Sequence, residues 1–251
     1  MKNTFKCSLL LATTFLAAHV YAGGPTVEPM AQPQNHALFA TLEGGYTWNY
    51  VGNTTVSYAN TTTGATNTES PTKTNNGGSG RFALGAIHYT SNPDISYTGE
   101  FGWGYYGKTT FTTPSNILTA KNYLYGFDLL GGIAYKFTPM LDGFFKLGGL
   151  LENVRMVRNV NLYSVNVNAI ENETTTVSSV IPLVKLGGIY NLTDCWGLSL
   201  AYTHAFGNSP SMTVNKTVAG SPPVATASTI SSTGAPISFD NVMAGVMYKF
   251  A

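Results

Sequence analysis

Seven charged side chains hold the most suggestive chemistry in this sequence: Glu43, Arg81, Glu100, Asp128, Lys146, Glu152 and Lys185. Each stands in a segment where apolar and polar residues alternate, on the face opposite the aromatic side chains. Seven unscreened charges in an apolar core would be very costly. Around a polar interior they would pair with one another instead. Two roles then fit: exchangeable salt bridges that gate or line an ion path, or a fixed network that closes the interior. Counting along each segment from its short-turn end puts Glu43, Glu100, Lys146 and Lys185 in one layer, with Arg81, Asp128 and Glu152 higher.

Other reactive groups are sparse. His88 and His204 fall on the aromatic face near segment ends, whereas Ser199 and Thr203 fall on the opposite face. The nucleophile and base that acyl transfer needs are thus held apart, and no enzyme is expected. Cys195 is the one cysteine after residue 22, so no intramolecular disulfide is available, and no neighbouring histidine or cationic cluster would activate it. No His/Cys/Asp spacing of a recognised metal-binding type occurs, and the glycine-rich stretches read as strand glycines beside bulky neighbours, not phosphate loops. No metal and no cofactor are expected.

The elements that must position these charges are strands. Leu38, Ala40, Leu42, Gly44, Tyr46, Trp48 and Tyr50 share one face of a period-2 segment that sets Glu43 on the other. The same alternation runs through Ile95–Tyr106, Tyr123–Phe137 and Leu141–Val154, with Phe144 and Leu150 blurring the last. Arg81–Tyr89, Val180–Leu192, Trp196–Phe206 and Phe239 to the C-terminus complete eight strands. Short turns at 90–94, 138–140 and 193–194 alternate with long polar stretches at about 51–79, 107–121, 155–178 and 207–236. That rhythm is the one an up-and-down barrel gives, with turns on one side and elaborated loops on the other. Val157 to Asn168 also alternates, which leaves open ten strands or a hairpin rising beyond a bilayer.

A soluble β-sandwich or lipocalin-like carrier would alternate too, with its apolar side chains inside. Charge placement favours the inverted arrangement, polar within and apolar toward lipid. Charged residues are only 10% of the chain, far below the roughly one quarter of soluble domains. Aromatic residues gather near both strand ends: Trp48, Tyr50, Trp103, Tyr105, Tyr123, Tyr125 and Tyr202 at one, and Tyr135, Phe137, Tyr190, Trp196, Tyr248 and Phe250 at the other. Two interfacial belts are the expected meaning.

At the N-terminus, Lys2 and Lys6 precede an apolar run from Cys7 to Val20 and a small-x-small site at Val20-Tyr21-Ala22. Residues 1–22 are therefore expected to be a signal peptide, 23–37 a proline-containing periplasmic lead, and 38–251 the barrel. Loss of two lysines takes Lys+Arg from 13 to 11 against 12 Asp+Glu, about −1, so nucleic acid is not an evident partner.

The final strand Val242-Met243-Ala244-Gly245-Val246-Met247-Tyr248-Lys249-Phe250, the run Phe145-Lys146-Leu147-Gly148-Gly149 and the run Leu186-Gly187-Gly188-Ile189-Tyr190-Asn191-Leu192-Thr193 resemble the small outer-membrane β-barrel family typified by the OmpA transmembrane domain and the opacity-type proteins. The resemblance spans Leu38 to the end. It implies an all-β, eight-stranded antiparallel up-and-down transmembrane barrel in the outer membrane of a Gram-negative bacterium. It also implies that Tyr248 and Phe250 form the signal read by the barrel-assembly machinery, although Ala251 follows Phe250. The peptidoglycan-binding domain of full-length OmpA has no counterpart. The expected function is a structural or interaction role through four long loops that meet lipopolysaccharide, a host surface or another environmental ligand. A small porin-like channel with a charged lumen is the alternative.

Overall fold

A computed structural model describes residues 36–52, 54–60, 65–114, 118–161, 170–209, 212–219, 224–232 and 236–250. The expected signal peptide and nearly all of the expected lead lie outside them. The strands in chain order are β1 (His36–Tyr50), β2 (Thr54–Asn60), β3 (Ala65–Glu69), β4 (Thr72–Thr74), β5 (Asn76–Tyr89), β6 (Ile95–Thr112), β7 (Leu118–Thr138), β8 (Leu141–Asn161), β9 (Ile170–Asn191), β10 (Trp196–Ala205), β11 (Met212–Ala219), β12 (Val224–Ser232) and β13 (Ser238–Phe250).

Eight of them close into a ring, β1-β5-β6-β7-β8-β9-β10-β13, in which β13 returns to β1 through pairs from Leu38↔Phe250 to Tyr50↔Ser238. Every pairing around the ring is antiparallel. Within the closed ring each strand is paired on both sides, which is the condition for a sheet to cross hydrocarbon. The three turns fall where the sequence places them: 90–94, 139–140 and 192–195. Side-chain hydroxyls hold them. Thr90 Oγ1 accepts from Asn92 N, and Thr193 Oγ1 accepts from both Cys195 N and Trp196 N.

The alternation decides what faces where. Leu129 is 67% exposed and Leu200 61%, while Asp128 is 1% exposed and Lys185 3%. A water-soluble protein does not put its leucines outside and its charges inside. From Leu38, the register partner of Phe250, to Trp48 there are ten residue steps, ~33 Å along the strand and about 25 Å along the normal at the usual tilt. That is the height of the apolar band of an outer-membrane barrel. Trp48, Tyr50, Trp103 and Tyr202 stand outward at the loop end, and Tyr135, Phe137, Tyr190, Trp196 and Phe250 stand outward at the turn end. The chain is thus an eight-stranded transmembrane β-barrel.

Three expectations are corrected. The stretches 107–121 and 155–178 are not mainly loop: β6 runs to Thr112, β7 starts at Leu118, β8 continues to Asn161 and β9 begins at Ile170. Their alternating Val and Thr side chains suit a pleated sheet, so strand pairing continues well past the aromatic belt. The stretches 51–79 and 207–236 also hold strands. β12, β11, β2 and β3 form a second four-stranded sheet in which β11 and β2 run parallel, joining the first and fourth long connections. Finally, the first strand begins at His36, two residues before the expected start.

Candidate functional site: a charged layer inside the barrel

Inward positions on six neighbouring ring strands supply six of the seven expected charges to one cluster. Glu43 and Arg81 are direct cross-strand partners on β1 and β5. Arg81 Nη1 donates to Glu43 Oε2 at 2.9 Å, and Nη2 donates to Glu100 Oε1 at 2.8 Å. Its Nε and Nη2 grip both oxygens of Asp128 at 2.8 and 2.5 Å, a bidentate fork. Lys146 Nζ donates to Glu100 Oε2 at 2.6 Å, and Lys185 Nζ donates to both oxygens of Glu43 at 2.8 Å.

Lys146 and Lys185 sit directly opposite each other on β8 and β9, an arrangement that repels if left alone. Lys185 Nζ also lies 3.4 Å from Glu100 Oε1, so Glu100 bridges the two lysines. With three cations and three carboxylates, all at most 4% exposed, the layer is neutral and each charge has partners. Such a cluster tolerates burial only when complete.

Arg81 and Asp128 therefore join the layer, where counting from the turns had placed them above it. Barrel strands are tilted and staggered, so equal counts from the turns do not mean equal heights, and the Arg81 side chain spans the rest. Glu152 stands apart from the layer: it is fully buried, and Oε2 accepts from the backbone N of Ile237 at 3.0 Å while Oε1 has no partner among the described residues. Two glycines make the central packing possible. A Cβ at Gly102 would come within 2.7 Å of Arg81 Nη2, and one at Gly104 within 2.7 Å of the Tyr106 ring.

Apolar side chains fill the space on either side, which the sequence reading of a polar lumen did not anticipate. On the loop side, Tyr106 donates to Asp128 Oδ2 at 2.9 Å and stacks on Phe239 at 4.7 Å between centroids. Leu124, Leu130, Leu150, Leu183 and Met243 pack with them in one buried cluster. Leu150 and Phe144, which blurred the alternation of β8, point inward as part of this filling. On the turn side, Phe39, Ile87 and Met247 form a smaller cluster. Lys146 Nζ lies over the rings of Phe144 and Phe39 at 4.8 and 5.4 Å. A cavity of about 50 Å³ reaches Lys146 from this side. It adjoins a mouth of about 310 Å³ lined by Asp94, Lys136, Asp142, Asp194 and Lys249.

One charge departs from the expected plan. Asp240 is on the outward face near the loop-side belt, accepting from Tyr50 Oη and from Tyr202 Oη at 2.5 Å, with His204 Nδ1 2.7 Å from its Oδ1. These partners quench a carboxylate that would otherwise be expensive beside lipid. His204 is thereby engaged outside, while Ser199 and Thr203 are buried on the inward face of the same strand. Cys195 is a free, partly exposed thiol in a turn.

Fold and site together define a small transmembrane barrel of the outer-membrane kind. The chain matches no protein-family model and no curated protein sequence. Solved structures that it is similar to include a designed transmembrane β-barrel and several outer-membrane β-barrels. It is similar to Ail, the attachment invasion locus protein of Yersinia pestis, at 12% identity over 84% of this chain and 98% of that one, with a TM-score of 0.41. It is similar to the outer membrane protein AlkL at 14% identity over 92% and 97%, TM-score 0.41, and to the outer membrane protease OmpT from Escherichia coli at 9% over 90% and 100%, TM-score 0.43.

Proposed function

We propose that this chain is an exported outer-membrane protein whose barrel is a sealed support for its long outer connections, which carry the contacts with lipopolysaccharide, a host surface or another external ligand. The observation that carries this reading is the filling of the interior: a neutral, fully paired layer of six charges capped on the loop side by a buried apolar cluster. Eight strands enclose a space that side chains can fill, and the stacked, buried rings of Tyr106 and Phe239 occupy it next to the charged layer. Residues 1–22 are read as the export signal, 23–35 as a lead to the first strand, and Tyr248 and Phe250 as the last-strand signal for the barrel-assembly machinery. No catalytic role is assigned.

The test is single-channel conductance of the purified, folded protein in a planar bilayer, beside Lys146→Met and Glu100→Gln. A silent bilayer from protein with the shifted electrophoretic mobility of a folded barrel is the expected result. Reproducible conductance steps altered by those substitutions would overturn the sealed reading and make the protein a small channel through its charged lumen.

A further inference from the structure

Two imidazoles face one another at the turn-side rim, apart from the charged layer. His36 opens β1, His88 is the penultimate residue of β5, and the two are register partners across the strand pair. Both are exposed on the outer face. Their Nδ1 atoms are 2.9 Å apart, and the rings stack with centroids 4.8 Å apart and planes inclined at 29°.

A neutral imidazole has one N–H and one lone pair, so this contact can be made by one ring donating to the other only if their tautomers differ appropriately. A metal ion removes that demand, because each Nδ1 then directs its lone pair at the same centre while each Nε2 keeps the proton. Metal–nitrogen bonds of ~2.0–2.1 Å set at a right angle place two ligand nitrogens about 2.9 Å apart, whereas a tetrahedral pair stands about 3.3–3.4 Å apart. The observed 2.9 Å matches the right-angle separation, and it is equally that of an N–H···N hydrogen bond between the two rings. It is also held in advance, since the pairs Ala37↔Ile87 and Leu38↔Ala86 continue the same antiparallel ladder beneath the histidines, and a site built on paired strands loses little order on binding.

We propose that His36 and His88 form a two-imidazole site for a divalent transition-metal ion of tetragonal preference, Cu²⁺ or Ni²⁺, with water completing the coordination. Nitrogen ligands at right angles suit those ions, and Cu²⁺ heads the affinity order for a site of this kind. The other described histidine, His204, is occupied by Asp240 at the loop end, which makes it an internal control. The site does not depend on whether the lumen conducts.

The experiment is a Cu²⁺ titration of the full folded chain in detergent micelles, followed by electron paramagnetic resonance and calorimetry. The expected result is one equivalent bound with hyperfine structure from two nitrogens, and binding at least about tenfold weaker in His36→Ala and in His88→Asn. His204→Ala should leave the titration unchanged. A stoichiometric site that survives the His36→Ala/His88→Asn double substitution would overturn the proposal. So would the absence of any binding tighter than about 1 mM in wild-type protein of folded electrophoretic mobility. Because both side chains are exposed and outside the packed interior, that mobility should be retained by each variant, and it is checked on each.

Discussion

Arg81 touches three carboxylates on three other strands, so its replacement by methionine preserves much of the volume and leaves Glu43, Glu100 and Asp128 with two lysines between them. Asp128 loses both bonds of its fork and keeps only Tyr106. Stranding a buried charge in this way costs about 3–5 kcal/mol, and urea unfolding in detergent should show a midpoint lowered accordingly. An unchanged midpoint would mean that the layer is wet enough for water to replace the guanidinium. Gly102→Val attacks the same point from the wall, since its side chain enters the space of Arg81 Nη2. It should destabilise too, by about 1–3 kcal/mol for overpacking, whereas valine at the outward Gly44, where a Cβ meets nothing, should be tolerated.

At the scale of strands, parity was legible in the sequence and height was not. Period-2 alternation put Glu43, Arg81, Glu100, Asp128, Lys146, Glu152 and Lys185 on the inward face because a pleated strand allows only two faces. Which of them meet depends on tilt and stagger, set by pairing partners far apart in sequence, so Arg81 and Asp128 looked too high to join Glu43 and Glu100. The histidine pair was missed for a related reason. Placing the first strand at Leu38 left His36 in a lead, although continuing the alternation two residues back puts His36 in phase with Leu38 and opposite His88. The outer extensions were hidden by composition, since Thr- and Asn-rich runs read as loops while Thr is also a good strand residue. β8 and β9 pair from Leu141↔Tyr190 at the turn out to Asn161↔Ile170. Excising 159–172 and joining Arg158 to Glu173 through Asn-Gly, a two-residue hairpin connection, should leave a barrel with folded mobility and a urea midpoint little changed. Loss of folding would show that the extension is needed to assemble the ring.

For the whole molecule, the decisive asymmetry runs along the barrel axis. Below the charged layer a cavity and a wider mouth bring Ser96 within reach of the turn side, while above it Ala205 is wholly buried in the apolar cluster. In a Cys195→Ser background, Ser96→Cys in liposome-reconstituted protein should react with a small, charged thiol reagent supplied on the turn side, and Ala205→Cys should be protected from either side. Both are small changes, and folded mobility checks each. The outcome separates the two whole-molecule readings without measuring current: a sealed support has one reactive position, whereas a continuous wet path exposes both. Labelling of Ala205→Cys that disappeared when the protein was returned to lower temperature would show a reversible opening of the apolar cluster that Ala205 shares with Tyr106 and Phe239.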